Sequence, residues 1–378
     1  MYLIRNAEVY SPEPMGKKDL LITGNTITAI GDCGSFDGLR GILPVEPVDA
    51  AGLLAVPGIM DQHVHVLGGG GEDGFRSIIP ALTAREIFSC GVTTVVGLMG
   101  TNAGTKNVEN LLTYTKQLNA DGVTAYCLTG SYAYPSPTIT GSVGRDILLF
   151  DEMLGVKLAI SDHRCYFPTE QEILQLAAQV RNSALISGKV GEVHMHLGKA
   201  PEGLKTIIHI VENTVFPIFH FRPTHVANNL EDAVHFAALG GMIDFTSGSG
   251  ATEKGKVIGD VLAEVPAEQI TVSSDANGSM PRWDAHNNLI GMGVGTEKSL
   301  LEVLKHLVTE EKLDLSTALS FFTSNVAKAL KLPRKGRLVA GKDADILLLD
   351  PDFTVKGLFT RGKQVVDRNG VCYKGYFD

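Results

Sequence analysis

Between about residue 58 and residue 330, eight short apolar runs alternate with segments of helical periodicity, and this alternation constrains the fold more than any other feature of the chain. The runs are 59–65, 92–98, 125–130, 156–160, 192–196, 218–221, 242–245 and 270–274; helical spacing is clearest over 108–118, 172–180, 204–211 and 230–238. Short runs of this kind suit strands covered on both faces, and the stretches between them suit crossover helices. Eight such units in about 270 residues fit an α/β fold of the (β/α)8 TIM-barrel type. The two chain ends read differently, as short strands with Gly-Asn and Gly-Asp turns. Neither has strands enough for a sheet of its own, so residues 1–57 and 331–378 are expected to meet in a small β-sandwich beside a barrel formed by 58–330.

A chain of 378 residues has ample length for such a core. Its net charge of -9 and the absence of a basic run argue against nucleic acid as a partner. Met1-Tyr2-Leu3-Ile4-Arg5-Asn6 lacks the apolar core of a signal peptide, and no apolar run approaches the roughly 18 residues that span a bilayer. The expected setting is the cytoplasm, away from membranes. Cys33, Cys90, Cys127, Cys165 and Cys372 are odd in number, widely spaced and without a CxxC pair, and read as reduced thiols.

In a barrel of this kind chemistry gathers at the C-terminal ends of the strands. The first run ends in Asp61-Gln62-His63-Val64-His65. Alternate strand side chains point the same way, so His63 and His65 project together and can grip one metal. Taken alone, His-x-His is as readily a polar pair on a solvated strand face. Here Pro57-Gly58 precedes the run and Gly68-Gly69-Gly70-Gly71-Glu72 follows, a backbone that admits a ligand closely. Further donors stand in later runs: Lys157 early in the fourth, His196 closing the fifth, His225 after the sixth and Asp275 closing the eighth. Four histidines, an aspartate and a lysine suit two divalent ions if the lysine amine has reacted with CO2 to form a bridging carbamate, because a free ammonium has no lone pair to offer. His194 shares a strand face with His196 and is a rival ligand, but its earlier position points deeper into the barrel, which favours His196. His163, His209, His220, His235, His286 and His306 read as structural or exposed.

These residues resemble the amidohydrolase superfamily, whose binuclear members carry His-x-His on strand one, a carboxylated lysine on strand four, histidines on strands five and six and an aspartate on strand eight. Within it the chain is similar over nearly its whole length to the isoaspartyl dipeptidase family. The phrases that carry this are Val95 to Thr101, Leu128-Thr129-Gly130-Ser131-Tyr132, Ile139-Thr140-Gly141-Ser142-Val143, Gly155-Val156-Lys157, Ser161-Asp162-His163-Arg164, Pro223-Thr224-His225-Val226 and Ser273-Ser274-Asp275-Ala276-Asn277-Gly278-Ser279. The resemblance implies a metal-dependent hydrolase that cleaves the β-aspartyl isopeptide bond of a small dipeptide. Two zinc ions, with Lys157 present as N6-carboxylysine, would share a hydroxide of depressed pKa. Asp275 would take its proton and deliver it to the departing amine, while Tyr132 and one ion stabilise the oxyanion. Glu72 would anchor the substrate ammonium, and Gly70, Thr101, Arg164 and Ser279 would hold its carboxylates. The family also implies a homo-oligomer, up to an octamer.

Judged without the resemblance, Tyr132 is a partly buried aromatic, Arg164 a surface charge, Glu72 a loop acid, and Thr101 and Ser279 turn or cap residues. Two positions depart from the family. Asn228 stands where an arginine contacts substrate carboxylate, leaving Arg222 and Arg282 as the next candidates, and Lys199 replaces an acid. The competing readings are a binuclear amidohydrolase acting on a cyclic amide, such as a hydantoin or dihydroorotate, or on an N-acyl amino acid, and a non-catalytic scaffold. A cyclic amide has no ammonium for Glu72, and a scaffold would have lost ligands that are all present here. The same donors accept manganese or cobalt as well as zinc.

Overall fold

The structure is a computed structural model that describes residues 1–376 apart from 40, 249 and 287. Eight parallel strands, Ile59–Val64, Val92–Gly97, Thr124–Gly130, Met153–Ile160, Glu192–Leu197, Phe221–Thr224, Ile243–Thr246 and Ile270–Ser273, pair in sequence order. The barrel closes just past the last of them. Asp275 N donates to His63 O at 3.1 Å, and His65 N donates to Ala276 O at 2.9 Å. The expected TIM barrel is therefore present, and its closing seam runs through three of the residues singled out as metal ligands.

Strand boundaries follow from local chemistry. The fourth strand begins at Met153, so that Lys157 lies at mid-strand rather than early in the run. Gly155 had hidden this start by interrupting the apolar pattern; it is glycine because a Cβ there would stand 2.1 Å from the Glu192 carbonyl of the fifth strand. The sixth strand begins later than expected, since Ile218–His220 forms a 3-10 turn and the strand itself is Phe221–Thr224. A short apolar run without periodicity does not distinguish a turn from a strand. Helices follow the strands, Leu230–Ala238 within the limits read from spacing. The helix Glu170–Ser187 opens on a capping box between Thr169 and Glu172 and ends at Gly188 in the left-handed conformation.

The two chain ends meet beside the barrel. Their strands form one continuous nine-stranded sheet, joined where Leu54–Pro57 pairs antiparallel with Ile346–Leu349. It curls over a core of its own, with Ile4, Val9, Leu20 and Ile27 from one end packed with Ile346, Leu348 and Phe359 from the other. The layers of the expected sandwich are thus continuous in hydrogen bonding. No described helix is long and apolar enough to cross a membrane.

Candidate active site

At the C-terminal mouth of the barrel, His63, His225 and Asp275 present ligand atoms within 4.8 Å of one another, a group that could hold a metal ion. His65 Nε2 lies 3.2 Å and His63 Nε2 3.4 Å from Asp275 Oδ1. Lys157, fully buried on the fourth strand, places Nζ 3.5 Å from His63 Nε2. His225 Nε2 and Asp275 Oδ1 are buried without a hydrogen-bond partner. Both residues also hold left-handed backbone, at φ 62° and 56°. Orphaned buried acceptors and backbone strain in the same two residues are costs that a bound cation would offset.

The protonation of these groups suits a cation. Burial holds His63 and His225 well below the ordinary imidazole pKa, so both are neutral ligands. Burial would raise the Asp275 carboxyl, but His65, His225 and Lys157 override it and hold the pKa at about 2. Burial draws the Lys157 amine down to about 7. An uncharged amine is the form that attacks CO2, so burial favours the protonation state of Lys157 that carbamate formation requires. The donor set fits divalent ions: neutral imidazoles, an ionised carboxylate and a nucleophilic amine.

Hydrogen bonds deeper in the barrel set the tautomers. Burial alone would raise the Glu192 carboxyl, yet His194 and Arg222 hold it below its usual pKa, so it accepts. His194 Nδ1 therefore donates to Glu192 Oε1 at 3.2 Å, and His63 Nδ1 donates to His194 Nε2 at 2.9 Å. His63 is left with its Nε2 lone pair facing Lys157 and Asp275. His194 orients the His63 ring in this way from below, a role unread in the sequence.

His196 occupies a different place from the other proposed ligands. Its ring lies 4.5 Å from that of His225, but both nitrogens are engaged. Asp162 is held well below the usual carboxylate range by His196 and Arg164 against the effect of burial, so it accepts from His196 Nε2 at 2.9 Å. Nδ1 is then the acceptor for the Tyr132 hydroxyl at 2.6 Å. One of these partners must give way before His196 can bind a metal. Burial raises the Tyr132 phenol well above its ordinary pKa, so it is a donor rather than a base.

The five residues expected to bind substrate also converge. Glu72 Oε1 accepts from Ser279 Oγ at 2.6 Å and lies 3.4 Å from both Thr101 Oγ1 and Arg164 Nη1, while Glu72 Oε2 is buried without a partner. Gly70 lies on the same loop at φ +86°, where a Cβ would stand 2.2 Å from the Ser77 carbonyl. Arg164 is clamped by Asp162, with Nε donating to Oδ1 and Nη2 to Oδ2, both at 2.9 Å, and lies over the Tyr132 and Trp283 rings. A cavity of about 790 Å³ opens here, lined in part by Arg164, His196, His225, Asp275 and Ser279. Asn228 lines it too, but its Nδ2 is turned onto Leu197 O at 2.9 Å. Arg222, one of the two arginines considered as its replacement, is 2% exposed and lies against Glu192 inside the barrel. It cannot reach substrate; it lies on an early residue of a short strand whose start the sequence misplaced. Asp162 and Trp283 were likewise missed. The signal for Asp162 was its place in the phrase Ser161-Asp162-His163-Arg164, which gave it no role of its own.

A donor cluster at the mouth of a parallel eight-stranded barrel, with an adjacent polar cavity, is the arrangement of a metal-dependent TIM-barrel hydrolase. The chain belongs to the amidohydrolase family, whose sequence pattern matches residues 54–365. It is similar in structure to a β-aspartyl dipeptidase from Fervidobacterium islandicum AW-1 solved with β-Asp-Leu, at 36% identity and a TM-score of 0.92, with 99% of each chain covered. Among curated proteins it is 24% identical to an adenine deaminase of Listeria welshimeri over 99% of this chain and 58% of that protein. It is 28% identical to a dihydroorotase of Listeria monocytogenes over 56% of this chain and 49% of that protein. The chain thus spans about half to three fifths of the length of these curated relatives.

Proposed function

We propose that the chain is an isoaspartyl dipeptidase that hydrolyses the β-aspartyl isopeptide bond with two zinc ions. His63, His65, His196, His225, Asp275 and Lys157 as its carbamate hold the ions. Bound there, the ions supply Lewis acidity and acidify water near neutral pH. Asp275, ionised at the seam, takes the proton of the attacking water and hands it to the departing amine. Tyr132, kept protonated by burial, donates to the oxygen of the scissile carbonyl as charge develops on it. The observation that carries the substrate is Glu72, an 8% exposed carboxylate side chain with one oxygen unpartnered, beside Arg164 at the cavity. An α-ammonium satisfies that oxygen, and a neutral cyclic amide does not. The similarity to the Fervidobacterium dipeptidase supports the same reading.

The proposal includes a cytoplasmic setting and a homo-oligomer; the exposed Ile290 and Val294 on the hairpin beside the cavity support the second, which sedimentation tests. The deciding experiment measures amino-acid release from β-Asp-Leu, α-Asp-Leu and an N-acyl amino acid, and ring opening of a hydantoin and of dihydroorotate, by the metal-loaded protein. Preference for β-Asp-Leu is expected; faster opening of a cyclic amide would overturn the reading.

A further inference from the structure

A β-aspartyl dipeptide brings one ammonium and two carboxylates to the cavity. The partners described so far are uneven. Glu72 answers the ammonium. Arg164 gives Nε and Nη2 to Asp162, which leaves Nη1, 3.4 Å from Glu72, for one carboxylate. The aspartyl ammonium and carboxylate share one carbon, so adjacent Glu72 and Arg164 match that pair. The terminal carboxylate of the leaving residue lies beyond the scissile bond and lacks a cation: Asn228 is turned onto Leu197 O, and Arg222 is buried against Glu192.

Three further cations line the cavity, Lys199, Lys254 and Arg282. Lys199 and Arg282 are exposed, whereas Lys254 is half-buried and shares the lining with His225, Thr246 and Asp275. It lies near the start of the helix Ala251–Val261, which follows the seventh barrel strand, so the helix begins at the mouth of the barrel. Side chains on a helix lean towards its N-terminus, which carries the Lys254 ammonium towards the cavity. That ammonium has no hydrogen bond or ion pair among the described residues.

Resting on the dipeptidase reading, we infer that Lys254 is the specificity-determining cation that receives the terminal carboxylate of the leaving amino acid, so that this enzyme selects dipeptides with a free C-terminus over their amides. A charge-assisted contact of this kind corresponds to about a 10- to 100-fold preference. The test compares kcat and KM for β-Asp-Leu and β-Asp-Leu amide in the zinc-loaded wild type, Lys254→Ala, Lys254→Gln, Lys254→Arg and Arg282→Ala. The wild type should prefer the acid. Both neutral variants at 254 should lose that preference through a higher KM for the acid, with the amide changed less than about twofold, and Lys254→Arg should retain most of it. An equal loss on acid and amide, or an undiminished preference in Lys254→Ala, overturns the assignment, and loss of the preference in Arg282→Ala alone moves it to Arg282. Failure of the wild type to cleave either compound overturns the dipeptidase reading itself, and this inference with it.

Discussion

Asp275 combines demands that no neighbouring residue shares. Its backbone closes the barrel, its carboxylate faces two histidines, and its Oδ1 is buried without a hydrogen bond. Asp275→Asn preserves shape but cannot carry a proton. Turnover of β-Asp-Leu should fall by at least about 10² while the circular dichroism spectrum is kept; a variant within tenfold of wild type with metal bound would place proton transfer elsewhere. In the proposed mechanism Tyr132 acts on the carbonyl rather than on the proton. Tyr132→Phe should lower kcat by about 10² with little change in KM, since the lost contact strengthens as the oxyanion forms. An effect confined to KM would count against the oxyanion role.

The elements around the site are pinned by buried polar side chains. Asp244 on the seventh strand accepts from Gln62 Nε2 at 2.6 Å, Thr271 Oγ1 at 2.8 Å, Thr224 Oγ1 at 2.8 Å and Ser273 Oγ at 2.6 Å, joining the first, sixth, seventh and eighth strands. Asp61 does the same at the seam, accepting from the Ser274 amide and hydroxyl and from His63 N. Asp244→Ala leaves several buried donors unpaired and should cost about 3 kcal/mol or more in urea unfolding. Thr169→Ala, which removes only an exposed helix cap, should cost about 1 kcal/mol and leave activity intact. Equal costs for the two changes would argue that the barrel floor is not held by this network.

For the whole molecule, the site is a stability device as well as a catalytic one. In metal-free, CO2-depleted protein the Lys157 amine has its folded pKa at about 7 against an ordinary 10.5. Between these values the unfolded chain binds a proton that the folded chain does not, so stability rises with pH; the contribution is full above 10.5 and is lost as pH falls towards 7. The Tm of wild type relative to Lys157→Met should therefore climb across that window, and a difference independent of pH would show that the amine is not desolvated. The end sheet couples residues separated by nearly the length of the chain, through the pairing of Leu54–Pro57 with Ile346–Leu349 and the core they share. The two ends therefore order together.

Much of this was legible in the residue order because it depends on local periodicity and donor chemistry. Short apolar runs alternating with segments of period 3.6 mark strands and helices in turn, and eight such units in this length fit a barrel. The strand period of two sets His63 and His65 on one face. Similarity to a known family drew Glu72, Thr101, Tyr132, Arg164 and Ser279 into a common site, and the structure indeed brings them together. What the sequence left open depends on direction and depth. Whether Asn228 faces substrate or its own loop, whether Arg222 reaches the cavity or lies against Glu192, and which nitrogen of His63 bears the proton are decided by neighbours far away in the chain. Burial does the rest: it neutralises His225, draws Lys157 towards a free amine and keeps Tyr132 protonated, and it exists only once the eight strands have closed.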